Sequence, residues 1–198
     1  MKWLRVLLLF CPLEFLSHPT NAQVFITTQL DSSQSVPVTT SHATGTLWGV
    51  LNPSANSLSY QVTYANLDSP FTAAHFHLGA AGTNGGVVEP ITFTGNTAQG
   101  TWTNIPDSPV DYMLQGKIYI NVHSTKYPAG EIREQLRLSP GIGFSMSLDG
   151  AQVGFSVPGT GTGNAHISGD SNAFVYRVTI AGLTATLTGA HFQLGEQA

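Results

Sequence analysis

Three histidines carry the most evident chemistry in this sequence. His75 and His77 stand two positions apart in AAHFHLGAAGTNGGVV, residues 73–88, and His123 ends the run KIYINVH, residues 117–123. Neutral imidazole nitrogens bind copper and zinc, and residues i and i+2 of a strand share a face. His75, His77 and His123 are therefore candidate ligands of one copper or zinc ion. The structural alternative is that these side chains hydrogen-bond to turn carbonyls and to one another.

The elements that must position these histidines are β-strands. Both stretches alternate apolar and polar residues with a period of two, which is typical of half-buried strands. In residues 74–78 the apolar set includes Phe76, and in residues 117–123 it is Ile118, Ile120 and Val122. If these face the core, the side chains predicted to point away from it are His75, His77, Tyr119, Asn121 and His123.

A second polar stretch follows in YPAGEIREQL, residues 127–136. Pro128 and Gly130 favour a tight turn, and the following strand places Glu131 and Arg133 on one face together with Gln135. Glu131 and Arg133 either complete a polar binding site beside His123 or form an ion pair that closes the hairpin. The ion pair is the favoured interpretation, because paired charges near turns are common and seldom catalytic.

The amino-terminal residues predict export. Lys2 and Arg5 precede the apolar run Val6–Phe10, and small or polar residues lead up to Ala22. This pattern is typical of a secretory signal peptide over residues 1–22, cleaved after Ala22. Its apolar core is too short for a bilayer, which takes roughly 20 apolar residues. We therefore expect a secreted or extracytoplasmic protein, in the periplasm, at the cell surface or outside the cell, with no transmembrane span in the mature chain.

Charge and cysteine content limit the partners and the means of stabilisation. Removal of residues 1–22 leaves five basic and ten acidic side chains, a net charge of −5, and removes Cys11, the only cysteine. An acidic surface repels phosphate backbones, so nucleic acid is not expected as a partner. A chain without cysteine has no disulfide, so its stability has to come from core burial.

The chain also resembles itself. Residues 58–67 and 74–79 recur as residues 174–183 and 190–195, at a constant offset of 116 from Tyr60 and Tyr176 onward. Phe25–Asp31 has its counterpart in Phe144–Asp149, and Thr44-Gly45 in Thr162-Gly163. The sequence thus predicts one complete domain over residues 23–138 and a second, partial domain over residues 143–198. We expect the chain to be part of a longer protein, since an incomplete sheet exposes unpaired edges.

Short β-rich runs separated by turn residues predict the fold class. Asn52-Pro53 and residues 68–70, 82–86 and 106–109 interrupt the strands and leave no room for a long amphipathic helix. The expected fold is all-β, an antiparallel sandwich for each unit.

The motifs in residues 73–88, 114–123 and 128–133 follow one another at domain-sized separations, and together they resemble the chordin-type domain, CHRD, in its bacterial secreted form. The resemblance implies an Ig-like β-sandwich. In animals this domain occurs in secreted antagonists of growth-factor signalling, and nothing in the resemblance implies an enzyme. The chain departs from the family pattern at Leu78-Gly79, where Gly-Pro is common, and at Glu134, where glycine is frequent. The residues that match the family's motif positions are His75, His77, Tyr119, Asn121, His123, Gly130, Glu131 and Arg133.

Three functions are compatible with this sequence. The first is a non-enzymatic interaction module that binds a protein or glycan at the cell surface, because no serine or cysteine lies in a motif that would activate it as a nucleophile. The second is a metal-binding protein that uses His75, His77 and His123 to bind copper or zinc as its cofactor. The third is a structural spacer of a longer surface protein.

Overall fold

A computed structural model describes residues 23–139, 142–150, 158–167 and 173–192. The predicted signal peptide, residues 1–22, lies outside the described residues, as does Gln193, the counterpart of His77 in the second unit. No helix in the described part of the chain is long and apolar enough to cross a membrane.

The described residues form twelve strands and one α-helix, together with two short 3-10 turns at Ser32–Gln34 and Pro53–Ala55. In chain order the elements are β1 Val24–Leu30, β2 Thr44–Asn52, β3 Ser57–Ala65, β4 Phe71–Leu78, β5 Gly86–Pro90, β6 Thr97–Trp102, α1 Asp107–Leu114, β7 Ile118–Ser124, β8 Ile132–Gln135, β9 Arg137–Leu138, β10 Ile142–Asp149, β11 Thr160–Ile167 and β12 Phe174–Ala181.

These strands build three antiparallel sheets. The orders are β6-β3-β2-β1-β9, β5-β4-β7-β8 and β10-β11-β12. The first two sheets pack face to face around the apolar core, and the alternation in β4 places Phe76 in it with no exposed surface. The Phe76 ring meets Tyr60 of β3 edge-on at 5.2 Å and stacks on Trp102 of β6 at 5.8 Å. The predicted all-β antiparallel fold is confirmed.

One helix stands where the sequence predicted only a turn. The run Pro106-Asp-Ser-Pro109 was expected to separate strands, and instead it begins α1. Pro109 lies in the first helical turn, where the proline ring and its missing N–H are tolerated. Val110 and Met113, three residues apart, are buried against the core. The helix has eight residues, so the described residues contain no long helix, as the sequence predicted.

The third sheet packs on the outer, polar face of the first sheet. Thr63 and Thr162 share a hydrogen bond of 2.6 Å, and Thr46 and Thr179 share another of the same length. Both pairs are buried, and the side-chain amide of Gln61 donates to the Thr162 hydroxyl at 3.1 Å. Hydroxyl and amide groups therefore hold the two sheets together here, with every one of these groups paired.

The strand register corrects one detail of the internal similarity. Thr44 pairs with Ala65 and Gly45 with Tyr64, whereas Thr160 pairs with Ala181 and Gly161 with Ile180. In the sheets, Thr160-Gly161 thus occupies the place of Thr44-Gly45. The expected counterpart Thr162-Gly163 is wrong by two residues, because the same Thr-Gly pair occurs twice in a row in residues 160–163.

Candidate metal centre

The three histidines lie on two neighbouring strands of the second sheet. In the pairing of β4 with β7, His75 lies opposite Asn121, His77 opposite Tyr119 and Ala73 opposite His123. Directly paired residues of an antiparallel ladder share a face. The histidines therefore lie together on the face that is turned away from Phe76, as the alternation of each strand predicts.

Their ring nitrogens converge. One nitrogen from each of His75, His77 and His123 lies within 4.8 Å of the other two. His75 Nδ1 is 3.3 Å from His123 Nε2, and the ring centroids are 5.2 Å apart. Three nitrogens at such separations can surround one ion at metal–nitrogen bonds of roughly 2.0 Å after small side-chain rotations.

Backbone carbonyls fix two of the three tautomers. His77 Nδ1 donates to the carbonyl oxygen of Gly85 at 3.0 Å, and His123 Nδ1 donates to that of Pro128 at 3.0 Å. A carbonyl oxygen only accepts, so in the neutral imidazoles each Nδ1 carries the proton and each Nε2 keeps a lone pair. Metal-bound histidines show this arrangement, with the second ring nitrogen held by a carbonyl or carboxylate.

His77 leaves an unsatisfied buried atom at this point. Its side chain is 7% exposed, and its Nε2 has no hydrogen-bond partner. A buried acceptor without a partner costs about 1–3 kcal/mol. An ion bound between the three rings would satisfy it.

All three imidazoles favour the neutral form. Burial lowers the pKa of His75, and it is the main cause of the lowered pKa of His77 and of His123. The neighbouring histidines add to this lowering for His77 and His123, and the Arg133 guanidinium adds to it for His77, while the carbonyl bonds oppose it. The neutral imidazole is the form that ligates metals, so the pocket holds its histidines in that form at neutral pH.

Tyr119 and Arg133 form the floor of the site. The Tyr119 ring stacks on His77 with centroids 4.9 Å apart, and the Arg133 guanidinium carbon lies 3.6 Å from the Tyr119 centroid. Since β4 and β8 flank β7 on opposite sides, the phenol ring lies between the imidazole and the guanidinium. This stack fixes the plane of His77 and brings one permanent positive charge close to the site.

The loop between β4 and β5 closes over this floor. Gly85 accepts from His77 through its carbonyl, and its N–H donates to the Tyr119 hydroxyl at 3.0 Å. A Cβ at this position would collide with the Leu78 carbonyl, so only glycine fits. Arg133 donates to the Thr83 carbonyl at 3.0 Å and to the Asn84 side-chain oxygen at 3.4 Å. The glycine-rich loop is thus tied to the sheet beside the histidines.

Asn121 supports the opposite side. Its amide donates to the Ala129 carbonyl at 3.0 Å, and its Oδ1 is buried without a partner. Gly130 has a φ of 122°, and a Cβ there would collide with the Asn121 side chain. Asn121 therefore fixes the turn whose Pro128 carbonyl orients His123.

The expected ion pair between Glu131 and Arg133 is not formed. Glu131 is fully buried, and its carboxylate accepts from Ser41 Oγ at 2.6 Å, from the Asp68 N–H at 2.7 Å and from Ser124 Oγ. Among the described residues the ion pairs are Lys126–Asp68 and Arg137–Glu134. Glu131 instead joins the β1–β2 and β3–β4 connections to the end of β7. This arrangement could not be predicted from the sequence, because Ser41 and Asp68 are distant from Glu131 in the chain.

Glu134, at the position where glycine is frequent in the family pattern, uses its carboxylate in two hydrogen bonds. It accepts from Arg137 at 2.9 Å and from the Gln135 N–H at 2.9 Å. The carboxylate therefore belongs to the β8–β9 edge, away from the histidines.

A family model for the CHRD domain matches residues 26–136, which span β1 to β8 and every residue of the site. This chain belongs to the CHRD domain family. CHRD domains occur in extracellular proteins and are generally binding modules, and the family is a non-enzymatic one. A comparison with curated proteins found no match, and a comparison with solved structures found none.

Proposed function

We propose that this chain is a secreted or cell-surface CHRD protein that binds a transition-metal ion, copper or zinc, through His75, His77 and His123. The observation that supports the proposal is the convergence of three imidazole nitrogens within 4.8 Å of one another. The export part of the proposal is supported by the amino-terminal pattern of residues 1–22 and by the extracellular occurrence of the family.

Preorganisation supports metal binding over a purely structural role. A hydrogen-bonded histidine cluster would place a donor against each buried lone pair, yet His77 Nε2 has none. Two carbonyl bonds already hold His77 and His123 in the ligating tautomer, so metal binding requires little rearrangement of these rings.

The proposed role is binding rather than catalysis. Glu131, the buried carboxylate that follows the turn, has its oxygens occupied by Ser41, Asp68 and Ser124. Arg133 is engaged with Tyr119 and Thr83. Neither is free to act as a general acid or base beside an ion, and we propose that Tyr119, Asn121, Glu131 and Arg133 position the site.

Metal analysis of the chain tests this function. Protein purified without a polyhistidine tag, stripped with a chelator and titrated with copper or zinc should bind one ion per chain. His77→Gln and His123→Gln should lower the affinity at least about tenfold, since each removes one ligand. His191→Gln is the matched control, because His191 is exposed and lies outside the cluster. Equal binding by the wild type and His77→Gln would refute the proposal.

A second candidate function is binding of a protein or glycan partner at the cell surface. It is favoured by the aromatic face of β10–β12 and the residue that packs on it: Phe144, Phe174, Tyr176 and Phe192 are each 41% exposed or more. Exposed apolar patches of this kind mark interaction sites. Tyr176→Ser should lower the binding of the chain to cell-envelope fractions, and Val38→Ser is the control at another exposed apolar residue. If the wild-type chain does not bind to these fractions at all, the structural spacer is the favoured function.

A further inference from the structure

The ligand set of the histidine site is uncharged. Among the described residues, the group of side chains able to share one ion is His75, His77 and His123, without Asp, Glu or Cys. Glu131, the buried acid in the same part of the sheet, donates no lone pair to the site because Ser41, Ser124 and the Asp68 N–H occupy its oxygens. An ion bound here therefore keeps its full charge.

The fixed charge stacked against the site is positive. Arg133 is 1% exposed, and its guanidinium stacks on the Tyr119 ring that in turn stacks on His77. Its hydrogen-bond partners are the neutral oxygens of Thr83, Asn84 and Gln135. Within the described part of the chain no carboxylate lies within hydrogen-bonding distance of it, and Glu134 acts on it only from farther away. Arginine stays protonated in proteins, so this charge repels a cation in the site under all ordinary conditions.

We infer that the ion this site selects is monovalent copper, Cu(I), in preference to Zn(II). The inference rests on the proposed metal-binding function and specifies its ligand.

The preference follows from charge and coordination number. Repulsion by Arg133 is proportional to the charge of the ion, and the cost of removing an ion from water rises more steeply still. A dication therefore suffers more than a monocation in a partly buried site of neutral ligands. Three imidazoles complete a three-coordinate Cu(I) site, whereas Zn(II) needs a water as its fourth ligand to reach its usual tetrahedron.

Competition titrations test the inference on the intact chain. Metal-free protein is titrated anaerobically with Cu(I) in the presence of a chromophoric Cu(I) chelator, and separately with Zn(II) in the presence of a chromophoric zinc chelator. The Cu(I) affinity should exceed the Zn(II) affinity by about a hundredfold, because the guanidinium repels a dication twice as strongly as a monocation. Equal or tighter zinc binding would overturn the inference while leaving the proposed function intact. Failure to bind either ion would refute both.

Two variants measure how much charge contributes to the ratio of the Cu(I) and Zn(II) affinities. Arg133→Gln should raise the Zn(II) affinity relative to Cu(I) about tenfold, because the repulsion of the dication is the larger one. Arg137→Gln, an exposed arginine paired with Glu134, is the control and should leave the ratio unchanged. Because Arg133 also holds the loop at Thr83, its variant is checked for folding by circular dichroism.

The second variant, His75→Glu, changes the charge of the ligand set and leaves Arg133 in place. His75 is partly exposed, and the new carboxylate would add a negative charge to the ligand set. The Zn(II) affinity should rise relative to that for Cu(I) by about tenfold or more. A ratio that stays the same in both folded variants would contradict a charge-based selection.

Discussion

The strands β1, β2 and β3 and the strands β10, β11 and β12 are paired in the same order, and their apolar faces are covered differently. Tyr60 of β3 is 7% exposed, whereas Tyr176 of β12 is 55% exposed. Phe76 meets Tyr60 edge-on at 5.2 Å, and Phe192 meets Tyr176 edge-on at 4.9 Å, but Phe76 is fully buried and Phe192 is 57% exposed.

This difference shows that an alternating sequence pattern produces an apolar face but does not by itself bury that face. Alternation gives both sheets an apolar face, and the same aromatic contact forms on each. Burial in the first region comes from the second sheet, in which β5 and β7 flank β4, β8 pairs with β7, and together they extend the cover over β1–β3. We propose that β10–β12 corresponds to β1–β3 in a second CHRD unit, the unit that the sequence predicted over residues 143–198.

The two regions should differ most in how much stability they lose when Phe76 or Phe192 is truncated. Phe76→Ala removes a fully buried ring from the sandwich core and should lower the free energy of unfolding by about 3–5 kcal/mol. Phe192→Ala removes a half-exposed ring and should lower it by less than about 1 kcal/mol. Urea denaturation followed by tryptophan fluorescence measures both. Equal losses would mean that Phe192 is buried in solution as Phe76 is.

Loss of the polar contact between the first and third sheets should have a smaller effect on the free energy of unfolding. Thr63 and Thr162 are both fully buried and share a hydrogen bond of 2.6 Å. Thr63→Val and Thr162→Val should each lower the free energy of unfolding by about 0.5–1.5 kcal/mol, because each removes one buried hydrogen bond, while Thr162 keeps its bond from Gln61 and Thr63 keeps its bond with Thr97. The double variant should lose less than the sum, with a coupling of about 0.5–1.5 kcal/mol. Additive losses would show that the third sheet does not pack on the first in this register.

The smallest effect we predict is the pH dependence that the histidine cluster gives to the first region. Burial lowers the pKa of His75, His77 and His123 in the folded chain, so the unfolded chain binds more protons as the pH falls below about 6.5. The free energy of unfolding of the metal-free protein should therefore be highest above that pH and should decrease as the pH falls towards the folded pKa values.

His77→Gln should flatten this decrease, since it removes one imidazole whose pKa is lowered by burial. The measurement is urea denaturation of the metal-free wild type and variant between pH 7.5 and 5. A wild-type profile that is flat over this range would contradict the buried, neutral state of the cluster.

Much of the fold and part of the site followed from the sequence. The period of two predicted that Phe76 faces the core and that His75 and His77 face the other way, because side-chain direction in a strand is set by the strand itself. The same rule predicted that Tyr119, Asn121 and His123 share one face. Placing these two sets together required β4 to pair with β7, which the motifs only suggested.

The predictions that were wrong depended on contacts between distant segments or on a repeated motif. Glu131 was expected to pair with Arg133 two residues away, but Ser41, Asp68 and Ser124 take its oxygens. The prolines at 106 and 109 predicted a break and not a helix, because the burial of Val110 and Met113 depends on a core formed by other strands. The Thr-Gly counterpart was displaced by two residues because residues 160–163 offer two equivalent registers.

The sequence by itself determined the class of the fold, the direction of each side chain on its strand and the three histidines that are candidate ligands. The tertiary structure decided that their nitrogens converge, that Gly85 and Pro128 fix two tautomers, and that Arg133 is the charge beside them. Alternation is a property of one extended segment and can be read along the chain. Strand order and loop closure depend on which distant segments pack together, and that packing sets the geometry and the charge of the site.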